Sequence, residues 1–113
     1  CGPCIAELPN LLKHYELYHD RGFDVVGISL DTDRKRLEAF LKEKKIPWVT
    51  LFKDGAGWDH SLATQYGIMS IPSVFLVDRE GKVVSLRARG AELGKLLDQL
   101  IGPAEVDKNQ RLP

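Results

Sequence analysis

Ile5, Leu8, Leu11, Leu12, Tyr15 and Tyr18 recur three or four residues apart. That spacing places them on one face of a helix, and Gly22 supplies its stop. Pro3 suits the first turn, where a missing N–H costs nothing. Pro9 lies beyond that turn and is expected to kink the helix. From Phe23 to Leu30 the pattern changes to residues apolar on both faces, as in a buried parallel strand. Asp31-Thr32-Asp33 offers N-caps for a second helix carrying Leu37, Phe40 and Leu41, which ends before Pro47. Trp48 to Phe52 reads as a short strand, followed by a loose loop over residues 53–57. Asp59 is positioned to cap a short helix through Tyr66, with Gly67 as its stop. Ser73 to Val77 and Lys82 to Arg89 read as a hairpin around Asp78-Arg79-Glu80-Gly81. Leu93, Leu96, Leu97, Leu100 and Ile101 mark a last helix, stopped by Gly102-Pro103.

Helices alternating with strands, then a hairpin and a helix, predict an α/β fold with a central mixed sheet covered by helices on both faces. One element is missing from that pattern. A right-handed βαβ unit needs a strand before its helix, and here a helix opens the chain. The domain is expected over residues 1–102, N-terminally incomplete, with a loose polar tail over 103–113.

Composition narrows the function classes more than it names one. The 113 residues, 43% hydrophobic, suffice for one domain with one core. Sixteen basic residues balance sixteen acidic ones. No global positive field therefore exists to recruit nucleic acid or an anionic membrane. No apolar run approaches the roughly 18 residues of a membrane helix, and no signal-peptide pattern is visible. Arg34-Lys35-Arg36 and the lysines of 42–45, interrupted by Glu38 and Glu43, read as a solvated helix face.

The chemistry concentrates at the first residues. Both cysteines of the chain fall in Cys1-Gly2-Pro3-Cys4, at the start of the first predicted helix. Unpaired N–H groups and the helix dipole at such an end stabilise a thiolate on the first cysteine. The thiolate attacks a disulfide, and a second cysteine so close can expel the resulting mixed disulfide. The competing reading is half of a zinc site, which needs two more ligands. His14 lies ten residues beyond Cys4, about 15 Å away on one helix, and His19 points roughly 140° away from His14. Metal ligands must converge, so the redox reading prevails. His14, His19 and His60 are expected to be solvated surface residues.

The order Cys1-Gly2-Pro3-Cys4, Glu7 and Pro9, then Tyr66-Gly67-Ile68, Ile71-Pro72-Ser73, Phe75-Leu76-Val77-Asp78 and Gly81-Lys82-Val83-Val84 resembles the thioredoxin superfamily. Within it, the order is similar to TlpA/ResA-type thiol–disulfide oxidoreductases, over residues 1 to about 101. The departure is the absent strand, with its Trp, before the first cysteine. The resemblance implies a dithiol enzyme without a bound cofactor. Cys1 would be the nucleophile, Cys4 the resolving thiol, and Glu7, one turn beyond Cys4, the proton acceptor. The bland alternative for Glu7 is a carboxylate that merely favours the positive helix end. Pro72 would be cis, leaving the Ile71 backbone free to pair with an extended substrate. Trp58, after the glycine-bearing loop, is a weaker candidate for substrate contact, and Trp48 is expected to pack.

The resemblance further implies protein disulfide or dithiol substrates, an upstream thiol reductant and an extracytoplasmic setting. The Gly-Pro pair between the cysteines favours a reductant over an oxidant. Alternatives are an N-terminal-cysteine hydrolase, a lipid-modified Cys1 and a thioredoxin-like binding module without turnover. Cys4 has no role in the first, Cys1 is sequestered in the second, and the pair of cysteines argues against the third. In the thioredoxin arrangement the absent strand lies between strands 23–30 and 73–77. The chain is accordingly expected to be part of a longer domain, or to borrow that strand from another chain.

Overall fold

The computed structural model describes residues 1–104; the predicted tail from residue 105 onward lies outside the described residues. The chain divides into two compact units, Cys1–Phe23 with Ile71 onward, and Asp24–Ser70.

The first unit is built on two helices. α1 spans Gly2–Tyr18 and continues through Pro9, and a short 3₁₀ turn over His19–Arg21 follows. Gly22 closes it with a left-handed φ of 99°, a conformation glycine adopts without steric cost. The second helix of this unit, called α4 in chain order, spans Ala91–Leu100. The two helices are tied at both ends. Near their N-termini, the Glu7 carboxylate and Asn10 amide of α1 bond to Gly90, the residue that precedes α4. Near their C-termini, the Tyr18 hydroxyl donates to the Gly102 carbonyl at 3.0 Å, and the Arg21 guanidinium donates to the carbonyls of Ile101 and Pro103. Arg21 thereby satisfies carbonyls left orphaned where α4 ends.

Between the helices in sequence comes a hairpin, β3 (Leu76–Val77) and β4 (Val83–Ser85), antiparallel and interrupted by a register shift. Its turn is held by the Asp78 carboxylate, which accepts the N–H groups of Glu80 and Lys82, both at 2.9 Å. Tyr18, Phe23, Leu76, Ala88, Leu93 and Leu97 form the buried apolar set of this unit.

The second unit pairs β1 (Val26–Ile28) with β2 (Val49–Leu51) in parallel, Val26 opposite Val49 and Ile28 opposite Leu51. α2 (Arg34–Glu43) connects them. Its N-cap is Asp33, whose carboxylate accepts the Arg36 N–H, and it buries Leu37. Trp48 lies over the strand pair: a Cβ added at Gly27 would stand 3.3 Å from the indole nitrogen. After a 3₁₀ turn over Gly57–Asp59 comes α3 (Ser61–Gln65).

Several expectations need correction. The strand predicted over 23–30 shrinks to three residues, and its apolar side chains are not buried: Val26 is 60% and Ile28 44% exposed. Among the described residues β2 is its one partner strand, and Val26 and Ile28 are exposed beside it. The expected parallel and antiparallel strand pairs both form, as two two-stranded sheets among the described residues, in keeping with a mixed sheet that lacks one strand. The cap of α3 is His60, not Asp59: the His60 Nδ1 accepts the Leu62 N–H at 3.1 Å. His14 and His60 are buried, not solvated. His14 sits one turn before the buried Tyr18 on the packed face of α1, and its Nδ1 donates to the Asn10 carbonyl at 2.8 Å. His19 is the exposed one of the three.

Candidate active site

Cys1 is the N-cap of α1, and its sulfur accepts the Cys4 N–H at 3.3 Å. Sequence proximity and the helical turn bring the two cysteines together, and they are joined in a disulfide with the Cα atoms 5.3 Å apart. Cys1 is exposed, and Cys4 is half-buried. A sulfur at this position faces the free N–H groups of the first turn and the positive end of a 17-residue helix. Both favour negative charge on Cys1 once the bond is reduced.

One turn past Cys4, Glu7 is half-buried on the same helix. Its Oε1 accepts from two donors: the Gly90 N–H at 2.7 Å and the Asn10 amide at 2.8 Å. The same Asn10 nitrogen also donates to the Gly90 carbonyl at 3.0 Å. Glu7, Asn10 and Gly90 thus close a small ring of bonds. Gly90 carries a φ of 61° and ψ of −141°, a conformation that side-chain-bearing residues avoid.

The Ile71–Pro72 peptide bond is cis. Both residues belong to the same compact unit as Cys1, Cys4 and Glu7. Ile71 is exposed and Pro72 half-buried. The Pro72 carbonyl accepts from the Arg89 guanidinium at 3.4 Å, and Ala88 N–H donates to the Val74 carbonyl at 3.0 Å. Residues 88–90 therefore bond to Val74 in the segment that follows Pro72, to Pro72 itself, and to Glu7. Trp58 belongs to the other compact unit, in the turn before α3, and is 49% exposed.

Asn10, Arg89 and Gly90 are absent from the set that the sequence singles out. Asn10 does carry a signal, since it lies three residues beyond Glu7 on the same helical face. Gly90 and Arg89 carry none, because their partners are distant in sequence.

Comparison with known proteins places the chain. A family model described as Redoxin matches residues 1–97. The thioredoxin domain of a thiol-disulfide oxidoreductase from Bacteroides vulgatus is 33% identical. It covers 89% of this chain and 71% of that one at a TM-score of 0.77. A thiol:disulfide interchange protein from a Bacteroides species is 28% identical, with 98% and 71% coverage and a TM-score of 0.76. The thiol-disulfide oxidoreductase ResA of Bacillus thuringiensis is 23% identical over 101 residues, covering 89% of this chain and 56% of ResA. The chain spans about half the length of the curated ResA relatives it matches.

Fold and cysteine pair together define a thioredoxin-like α/β chain of the dithiol class. More narrowly, the chain belongs to the Redoxin family, with relatives of the TlpA/ResA type.

Proposed function

We propose that this chain is the dithiol domain of a thiol–disulfide oxidoreductase that reduces disulfides in protein clients. The carrying observation is the Cys1–Cys4 disulfide at the N-terminus of α1 in a chain of this family. In the reduced form, the Cys1 thiolate attacks one sulfur of the client disulfide. The client S–S bond breaks, one client thiolate leaves, and Cys1 is held in a mixed disulfide. Cys4 then loses its proton to the Glu7 carboxylate and attacks the Cys1 sulfur. The second client thiolate departs, and the Cys1–Cys4 disulfide forms. Two electrons have passed to the client, and an upstream thiol reductant returns them.

Client placement is assigned to the segment around Pro72. Proline offers no N–H of its own, and the backbone of Ile71, an exposed residue, is the pairing edge for an extended client strand. The names of the relatives support the redox class, and the family's habit supports an extracytoplasmic setting. Among the described residues no helix is long and apolar enough to cross a membrane.

Insulin reduction coupled to a small thiol tests the proposal. The parent chain should accelerate precipitation of the insulin B chain, and Cys1→Ser should abolish it. Cys4→Ser should stop turnover but accumulate a mixed disulfide through Cys1, visible as a covalent adduct by non-reducing mass spectrometry. A parent chain that binds insulin without reducing it would instead establish a binding module.

A further inference from the structure

The bonds around Glu7 are unevenly shared between its two oxygens. Asn10 and Gly90 both donate to Oε1, and neither bond uses Oε2. We infer that Asn10 is a positioning residue for thiol–disulfide exchange: with Gly90 it pins Glu7 by one oxygen and leaves the other for the Cys4 proton. This inference rests on the reading of Glu7 as proton acceptor.

Three features support it. First, the Asn10 amide has only one sensible orientation. Its nitrogen faces two acceptors, the Glu7 carboxylate and the Gly90 carbonyl, so an exchanged oxygen would meet both in repulsion. Second, a glutamate side chain turns about three bonds, and a proton acceptor must hold its oxygen within hydrogen-bond reach of the donor. Two bonds on Oε1 remove most of that freedom. Third, the anchor is itself fixed. Gly90 is the residue just before α4, in a conformation reserved for glycine, and the Asn10 amide bonds its carbonyl while Glu7 bonds its N–H. A carboxylate that merely favoured the helix end needs neither the asymmetry nor the second anchor. Asn10 lies six residues beyond Cys4 on α1, about 9 Å along the axis, so its effect passes through Glu7.

The test compares the parent with Glu7→Gln, Asn10→Ala, Asn10→Asp and the double variant Glu7→Gln/Asn10→Ala. Disulfide reduction is followed across pH, and circular dichroism checks that each variant is folded. Iodoacetamide alkylation of the reduced chain gives Cys1 reactivity as a control. Loss of one charge-assisted bond at a partly solvated site should slow turnover by about threefold to tenfold in Asn10→Ala. The pH–rate profile of Asn10→Ala should depart from the parent's in the limb that Glu7→Gln removes, because the variant takes away one of the two donors on that carboxylate. Asn10→Asp, which keeps the size and replaces the donor by oxygen, should change the same limb further. It also serves if Asn10→Ala does not fold.

The double variant should be no slower than Glu7→Gln within about twofold, since both changes act through one group. If Glu7→Gln shifts the profile but both Asn10 variants superimpose on the parent, this inference falls and the role of Glu7 stands. Penalties that multiply in the double variant overturn it as well. An unchanged Glu7→Gln profile overturns both.

Discussion

Arg34 and Asp54 face each other through two parallel bonds, Nε to Oδ1 and Nη2 to Oδ2, each 2.9 Å. This forked geometry is the strong form of an ion pair. Arg34 also lies over the Phe52 ring, 5.1 Å from its centre, which limits the guanidinium's freedom. The hydrogen bond from Arg34 holds the Asp54 carboxyl below its usual range, and the partner's charge acts in the same direction. The folded value is depressed, so the pair's contribution is present above the ordinary carboxylate value of about 3.9 and is lost as pH falls through the lower folded value. Both groups are solvated, so salt screens the effect. Arg34→Ala should return the Asp54 titration to the ordinary range by NMR. It should also erase any stability difference from the parent at the acid end. An Asp54 midpoint that does not move would show that the fork has no energetic content in solution.

At the scale of elements, α1 and α4 approach so closely that only a glycine fits. A Cβ added at Gly94 would stand 2.8 Å from the His14 Nε2. The ring cannot easily yield, because it is buried and its Nδ1 is bound to the Asn10 carbonyl. Replacing glycine in a helix interior ordinarily stabilises by about 1 kcal/mol. Overpacking a contact of this kind costs about 1–3 kcal/mol, so the clash should win. Gly94→Ala is therefore expected to lower stability in urea denaturation, and His14→Ala should relieve much of the penalty in the double variant. Equal stability of Gly94→Ala and the parent would mean that the helices separate without cost.

The long helices were legible in the sequence because three- and four-residue spacing and an Asp33 cap are local signals. So was the Cys1, Cys4 and Glu7 group, which one helix places by itself. The contact of His14 with Gly94 was not legible, since helical spacing shows a face but not what covers it. Nor was the Glu7–Gly90 bond, whose partners are 83 residues apart. His60 escaped as a cap because carboxylates and hydroxyls dominate capping and Asp59 stood next to it. The strands were overestimated for a different reason. Apolar sequence marks potential for burial, and a strand extends only as far as a neighbour pairs with it.

Across the whole molecule, burial is distributed unequally between the two compact units, and local stability should follow it. In the unit containing α1 and α4, Ala88 is fully buried, and Tyr18, Leu93 and Leu97 are at most 2% exposed. The Tyr18, Arg21, Glu7 and Asn10 bonds tie the two helices of this unit at both ends. In the other unit, the four apolar side chains on the open face of the parallel strands range from 39% exposed at Leu51 to 64% at Val49. Three residue pairs hold those strands together, and a two-stranded sheet alone is marginal in water. Opening the strand pair exposes little apolar surface that is not already wet, whereas separating α1 from α4 exposes side chains that are dry. At about 25 cal/mol per Å² of apolar area the second opening is much the costlier. Native-state hydrogen exchange should accordingly show the amides of Val26–Ile28 and Val49–Leu51 exchanging through low-energy openings. Amides in the middle of α1 and α4 should exchange only through openings near the global limit. The disulfide leaves this order unchanged, because it closes only the first turn of α1, so the oxidised and reduced chains should rank their segments alike. Strand amides as slow as those of the helices would show that the open β1–β2 face is covered in solution.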